Sequence, residues 1–232
     1  RLRRAFHRNC LTGEAYRSPN HTWPTDDRGG ALAVVAGLAP PETHTELARV
    51  LVTQRYASPY MEKYVLEALI RMGRVDAALM RMRERYAPMI HSPITTLWEG
   101  WGIGPAGYGG GSYNHPWGGG PLTLLSQYVA GSDPVEPTYR RFRVAPQLGD
   151  LRYARAVVSS PRGEIRVDVR RTDEGLTLDL SCPPTTTAEV VLPGAEQGEV
   201  VLNGAVAPAG KRLEVGPGEH RFVVTAGQSP GG

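Results

Sequence analysis

Two hydrophobic periods run along this chain, and they change near residue 132. In the first half apolar residues recur at helical spacing: Val75, Ala78, Leu79 and Met82 fall at i, i+3, i+4 and i+7, one stripe of a helix over 75–86. The same period predicts helices at 27–38, ending at Gly37, and at 42–54, after Pro40-Pro41. A helix at 59–72 has Ser58-Pro59 as cap and first-turn proline, with Gly73 as its stop, and one at 121–130 runs from Pro121 to Gly131. Short linkers between them imply helical hairpins. The opening RLRRAFHRNC reads as a helix in mid-course with no cap before it, which suggests a fragment of something longer.

Beyond Pro134 the period is two. EIRVDVRR at 164–171, LTLDLS at 176–181, AEVVLP at 188–193, EVVLNG at 199–204 and HRFVVTA at 220–226 alternate apolar and polar positions between Gly, Pro and Asp turns. Such runs predict antiparallel strands with one wet face, that is, a small antiparallel β-sandwich. The polar ending GQSPGG has nothing to bury, so 227–232 is expected to be a disordered tail.

Composition narrows the function classes. The 232 residues are 41% hydrophobic and 21% charged, enough for one large domain or two small ones. A formal charge of +3 arises from 26 Lys and Arg dispersed among 23 Asp and Glu, without a nucleic-acid motif, so no nucleic-acid partner is expected. No run approaches the roughly 18 apolar residues that span a bilayer, so no membrane partner is expected either. Cys10 and Cys182 lie in segments of different structure and read as small buried apolar residues rather than a disulfide. His91, Glu99 and His115 lack a compact ligand spacing, so no metal site is expected.

Between the halves lies WGIGPAGYGGGSYNHPWGGG, 101–120, a glycine-rich stretch that is entropically costly to order and for that reason is expected to be functional. Just before it, TTLWEGW at 95–101 sets one carboxylate, Glu99, between Trp98 and Trp101. Sugars present flat apolar faces edged by hydroxyls, and aromatic platforms beside carboxylates suit them. The alternative is that both tryptophans are core and Glu99 is solvated or caps a backbone. Asn114, His115 and Trp117 in SYNHPWGGG add hydrogen-bonding groups and another indole, although an Asn-His pair before proline also satisfies a turn. GYGGGS at 107–112 lacks the lysine and preceding strand of a phosphate loop. Ser112 and His115 lack a nucleophile elbow. Asp26 and Asp27 read as helix-dipole partners, and Glu62, beside Lys63 and Glu67, as part of an ordinary charged face.

Taken in succession, SPYMEKYVLEALIRMG, TTLWEGW, S-x-NHPWGGGPLTLLSQYVAG and PTYRRFRVAP resemble the bacterial α-L-rhamnosidases of glycoside hydrolase family 78, over about residues 20 to 226. The resemblance implies a multidomain α and β protein: a C-terminal portion of an (α/α)₆ six-hairpin barrel at 1–131, then a β-sandwich domain at 132–226. It further implies inverting hydrolysis of terminal α-L-rhamnosides without a cofactor, with Glu99 as general base. His115 would contact the sugar, and Trp101, Trp98 and Trp117 would wall the pocket with Asn114 nearby. Inversion needs two carboxyls roughly 6.5–9.5 Å apart. No counterpart of the family's earlier acidic motif occurs in this chain, so the general acid is expected on a missing N-terminal part of the same polypeptide, and the fragment alone is expected to be inactive. The expected partners are therefore that part and a rhamnose-containing glycan or glycoside. Two other classes stay open: a noncatalytic carbohydrate-binding module, and another six-hairpin glycosidase or lyase using Tyr108 or His115 as base.

Overall fold

The computed structural model describes residues 1–13, 15–20, 22, 26–103, 111–207 and 212–225, so Tyr108 and the tail 227–232 lie outside the described residues. The chain divides into two compact units, Arg1–Leu124 and Leu125–Gly232.

The first unit is helical. It comprises α1 (Leu2–Cys10), a short hairpin of β1 (Leu11–Thr12) and β2 (Ala15–Tyr16), then α2 (Asp27–Val35), α3 (His44–Thr53), α4 (Pro59–Arg71), α5 (Val75–Ile90) and α6 (Gly120–Leu124). Asp26 caps α2, its Oδ1 accepting from the Arg28 N–H at 2.8 Å and its Oδ2 from the guanidinium at 2.6 Å. α2 stops at Val35, short of the expected 38, where Gly37 takes a positive φ of 66°. Ser58 caps α4 by accepting from Met61 N–H at 3.3 Å. α5 runs past the expected end through Pro88 to Ile90, because a proline in the last turn forgoes only one backbone hydrogen bond. The helix expected at 121–130 is two short pieces, α6 and a wider π turn at Leu125–Val129 that opens the second unit, and a 3₁₀ turn at Pro116–Gly119 leads into them.

The Asp26 cap makes a first prediction. Burial alone would raise its carboxyl, but the hydrogen bonds from the Arg28 side chain and backbone outweigh burial and hold it below the ordinary carboxylate value. A folded pKa below the unfolded one means the contribution is present above the unfolded value and is lost as pH falls through the folded one. Asp26→Ala is therefore expected to cost about 1 kcal/mol at neutral pH, a difference from wild type that shrinks below about pH 4. Urea titrations at two pH values measure both.

The second unit is built from strands. A six-stranded antiparallel sheet has the order β10 (Ala205–Val206), β9 (Val200–Leu202), β12 (Gly218–Thr225), β7 (Gly175–Cys182), β6 (Gly163–Thr172), β5 (Tyr153–Ser160). A four-stranded sheet has the order β11 (Leu213–Val215), β8 (Thr187–Val190), β4 (Arg141–Val144), β3 (Ser132–Pro134). The register aligns Val169, Leu178, Phe222 and Leu202 across one row of the larger sheet. The inward faces of both sheets share one core, with Phe142, Val144, Ala188 and Val190 from the smaller and Ile165, Val167, Leu178, Leu180 and Phe222 from the larger. The expectation of a purely antiparallel sandwich needs correction, since β4 and β8 pair in parallel. The chain leaves the smaller sheet after β4, builds β5 to β7 in the larger one, and returns in the original direction. Parallel neighbours require such a crossover.

Cys182 is buried in this core, and burial pushes its thiol up to about 12, so it stays protonated. Cys10 is only half-buried, unlike the expectation for it. Among the described residues no helix is long and apolar enough to cross a membrane.

Candidate functional site

Beneath the site lies a buried ionic cluster. The Arg81 side chain is 1% exposed and those of Asp27 and Glu62 are wholly buried. Arg81 uses all five of its N–H groups: Nε donates to Glu62 at 2.5 Å, Nη2 to Asp27 at 2.5 Å and to Glu62 at 2.9 Å, and Nη1 to the Leu51 carbonyl and, at 2.7 Å, that of Gln54. Burial opposes the charge on Arg81, but the hydrogen bonds and charges of Glu62 and Asp27 more than offset it and raise its pKa. The expectation for Glu62 is thus corrected: it is no part of a solvated face, because its side of α4 meets α5 and α2. Glu67 is also nearly buried, its side chain 5% exposed between Lys63 and Arg71 at 2.6 Å each.

Glu99 sits where two segments run side by side. Its N–H donates to the Ser112 carbonyl at 3.0 Å, and the His115 N–H donates to the Leu97 carbonyl at 2.8 Å. Thr96 Oγ1 donates to the Tyr113 carbonyl. These bonds tie TTLWEGW to SYNHPW across the glycine-rich loop. The half-buried Glu99 carboxylate accepts from the Ser112 N–H through Oε2 at 2.7 Å. Among the described residues its Oε1 has no partner. Glycine is needed at 111, where φ is 148° and an added Cβ would meet Ile103 at 3.1 Å and Glu99 at 3.5 Å.

The aromatic residues divide by role. Trp98 is 7% exposed and packs edge-on against Tyr113 at 5.6 Å, with its indole N–H buried and unpartnered among the described residues. The half-buried Trp101 donates its indole N–H to the Ala57 carbonyl at 2.7 Å. Trp117 is 39% exposed, donates to the Glu99 carbonyl at 3.3 Å, and stacks on His115 at 4.0 Å with 17° between planes. His115 Nδ1 is buried without a partner among the described residues. Asn114 is exposed, its carbonyl accepting from Ser112 Oγ at 3.4 Å. Sequence reasoning missed Tyr60, which is 43% exposed on the first turn of α4, with its ring 5.4 Å from that of Trp117. A tyrosine two residues into a helix gives no local sign of such a partner.

The arrangement joins a carboxylate held through one oxygen to an exposed aromatic pile and an imidazole stacked on it. Residues 131–207 match the family model described as the bacterial α-L-rhamnosidase C-terminal domain. The chain is 32% identical over 174 residues to an α-L-rhamnosidase of Streptomyces avermitilis, covering 69% of this chain and 17% of that protein. The chain matches a bacterial α-L-rhamnosidase C-terminal region. An α-L-rhamnosidase of Formosa agariphila is 27% identical over 169 residues, 68% of this chain and 18% of that protein. The chain thus spans under a fifth of the length of these rhamnosidases. Two solved structures share the mixed fold with its antiparallel sheets. The α-L-rhamnosidase from Dictyoglumus thermophilum superposes with a TM-score of 0.81 at 22% identity, over 97% of this chain and 28% of that one. The Streptomyces avermitilis α-L-rhamnosidase complexed with L-rhamnose gives 0.75 at 23% identity, over 95% of this chain and 23% of that one.

Proposed function

We propose that this chain is the C-terminal part of an inverting glycoside hydrolase that cleaves terminal α-L-rhamnosides, with Glu99 as general base. In this reading residues 1–131 contribute the last hairpins of an (α/α)₆ barrel and 132–226 form a C-terminal β-domain. The carrying observation is the Glu99 carboxylate, whose Oε2 is held by the Ser112 N–H at 2.7 Å while Oε1 is unpartnered among the described residues. An oriented carboxylate with one open oxygen suits a base that takes a proton from water as the water attacks the anomeric carbon.

The partner acid comes from the preceding part of the polypeptide. This is supported by the state of the buried carboxylates on α2 and α4: Asp27 and Glu62 are committed to Arg81, and Glu67 to Lys63 and Arg71. His115, stacked on Trp117, contacts the sugar in this reading, with Asn114 beside it. Trp117 supplies an apolar wall, with Trp98 and Trp101 as the other indoles of the pocket.

The test uses the full-length protein and an aryl α-L-rhamnoside followed by proton NMR. The expected first product is β-L-rhamnose, which then mutarotates. First appearance of the α anomer overturns inversion, and binding without cleavage replaces the hydrolase with the carbohydrate-binding module.

A further inference from the structure

Three side chains of the helical unit converge on the backbone of one residue. Ala57, wholly buried between α3 and α4, donates its N–H to Asp27 Oδ1 at 3.0 Å. Its carbonyl accepts twice, from Trp101 Nε1 at 2.7 Å and from Arg85 Nη2 at 2.5 Å. The Arg85 guanidinium lies 4.4 Å from the centre of the Trp101 ring, and the Tyr86 ring meets that indole edge-on at 5.0 Å and 85°. Trp101 is therefore held at its N–H, by a cation over its ring and by a neighbouring phenol ring. A cation over an indole contributes about 0.5–2 kcal/mol, more as water is excluded.

Arg85 is itself seated in the buried cluster, its Nε 3.5 Å from Glu62 Oε2. Burial pulls its pKa down from the usual guanidinium value, and the Glu62 charge works against that pull. Trp101 follows Glu99 by two residues, and two residues of chain reach at most about 7 Å. Whatever fixes the indole therefore also limits where the Glu99 backbone can lie.

We infer that Arg85 is a positioning residue for the reaction: by holding Trp101 against Ala57 it sets the placement of the Glu99 carboxylate without touching the sugar. This rests on the catalytic reading of Glu99 above. Nothing in the local sequence marks Arg85, which lies in α5 among other charged residues; only the convergence on Ala57 singles it out.

The experiment compares Arg85→Gln, Arg85→Lys, Trp101→Phe and the Arg85→Gln/Trp101→Phe double variant in the full-length protein, with rates normalised to folded enzyme. Arg85→Gln is expected to lower kcat by about ten- to a hundredfold, the usual consequence of displacing a reacting group by about an ångström, with KM within about twofold. Its tryptophan emission should change as the indole loses the cation. Arg85→Lys keeps the charge but loses the planar stacking, so rescue is partial. The double variant should lose no more than the worse single change, because the two act as one device. Should Arg85→Gln fail to fold, Trp101→Phe alone reads the same clamp through kcat. Wild-type kcat per folded enzyme in Arg85→Gln or Trp101→Phe, with Glu99→Gln inactive, overturns this inference alone. Full activity in Glu99→Gln overturns it together with the catalytic reading.

Discussion

Replacing Arg81 by methionine is expected to destabilise the helical unit by about 3–5 kcal/mol, the cost of leaving a buried charge unpaired. The size follows from what remains: Asp27 and Glu62, both with 0% exposed side chains, lose the guanidinium that faces them. The Leu51 and Gln54 carbonyls lose their Nη1 donor as well. Arg85 compensates only in part, reaching Glu62 at 3.5 Å. Removing the carboxylates too, as Arg81→Met with Asp27→Asn and Glu62→Gln, should recover much of the loss, since apolar and neutral groups carry no desolvation penalty of that size. All four tryptophans fall within residues 1–124, so urea titration followed by their fluorescence reports this unit. A cost below about 1 kcal/mol would match a surface ion pair and contradict the buried network.

That network also shows where reading the chain stops. Helices α3, α4 and α5 were legible because an apolar stripe of period 3.6 is bounded by Pro and Gly. Strands β6 and β7 were legible because their inward residues alternate with charged or hydroxyl side chains, and β12 because Phe222 and Val224 follow the same period. Asp27, Glu62 and Arg81 look like ordinary surface charges in sequence, and their partnership joins positions up to 54 residues apart. β5 was missed because two of its inward positions, Ala154 and Ala156, are small and the outward Val157 is as apolar as the inward Val158, so the alternation has little contrast. β4 is only four residues long, and its parallel pairing with β8 sets Arg141 beside Thr187, a proximity that no local period encodes.

The candidate site was half legible. TTLWEGW and NHPW singled out Glu99, His115 and the tryptophans by residue type and order. The bonds that bring them together, Glu99 to Ser112 and His115 to Leu97, cross the glycine-rich loop and are set by the fold. Different uses for the three indoles could not be read from their shared chemistry. Trp117 is 39% exposed and Trp98 only 7%, because one sits on the 3₁₀ turn Pro116–Gly119 and the other packs against Tyr113.

The central claim is that Glu99 deprotonates the attacking water. Glutamine matches glutamate in size and can still meet the Ser112 N–H through its carbonyl oxygen, so Glu99→Gln removes the base while leaving the 2.7 Å anchor a partner. Loss of a general base typically lowers the rate by about 10²–10⁴-fold. The loss should fall on kcat, since the sugar is held by other groups, and KM should move little. The measurement is therefore kcat and KM for an aryl α-L-rhamnoside in the full-length protein, wild type against Glu99→Gln, with Glu99→Ala alongside to remove the anchor as well. A drop of about two orders of magnitude or more in kcat with KM nearly unchanged is the predicted result, and a Glu99→Gln variant that turns over at the wild-type rate would contradict it.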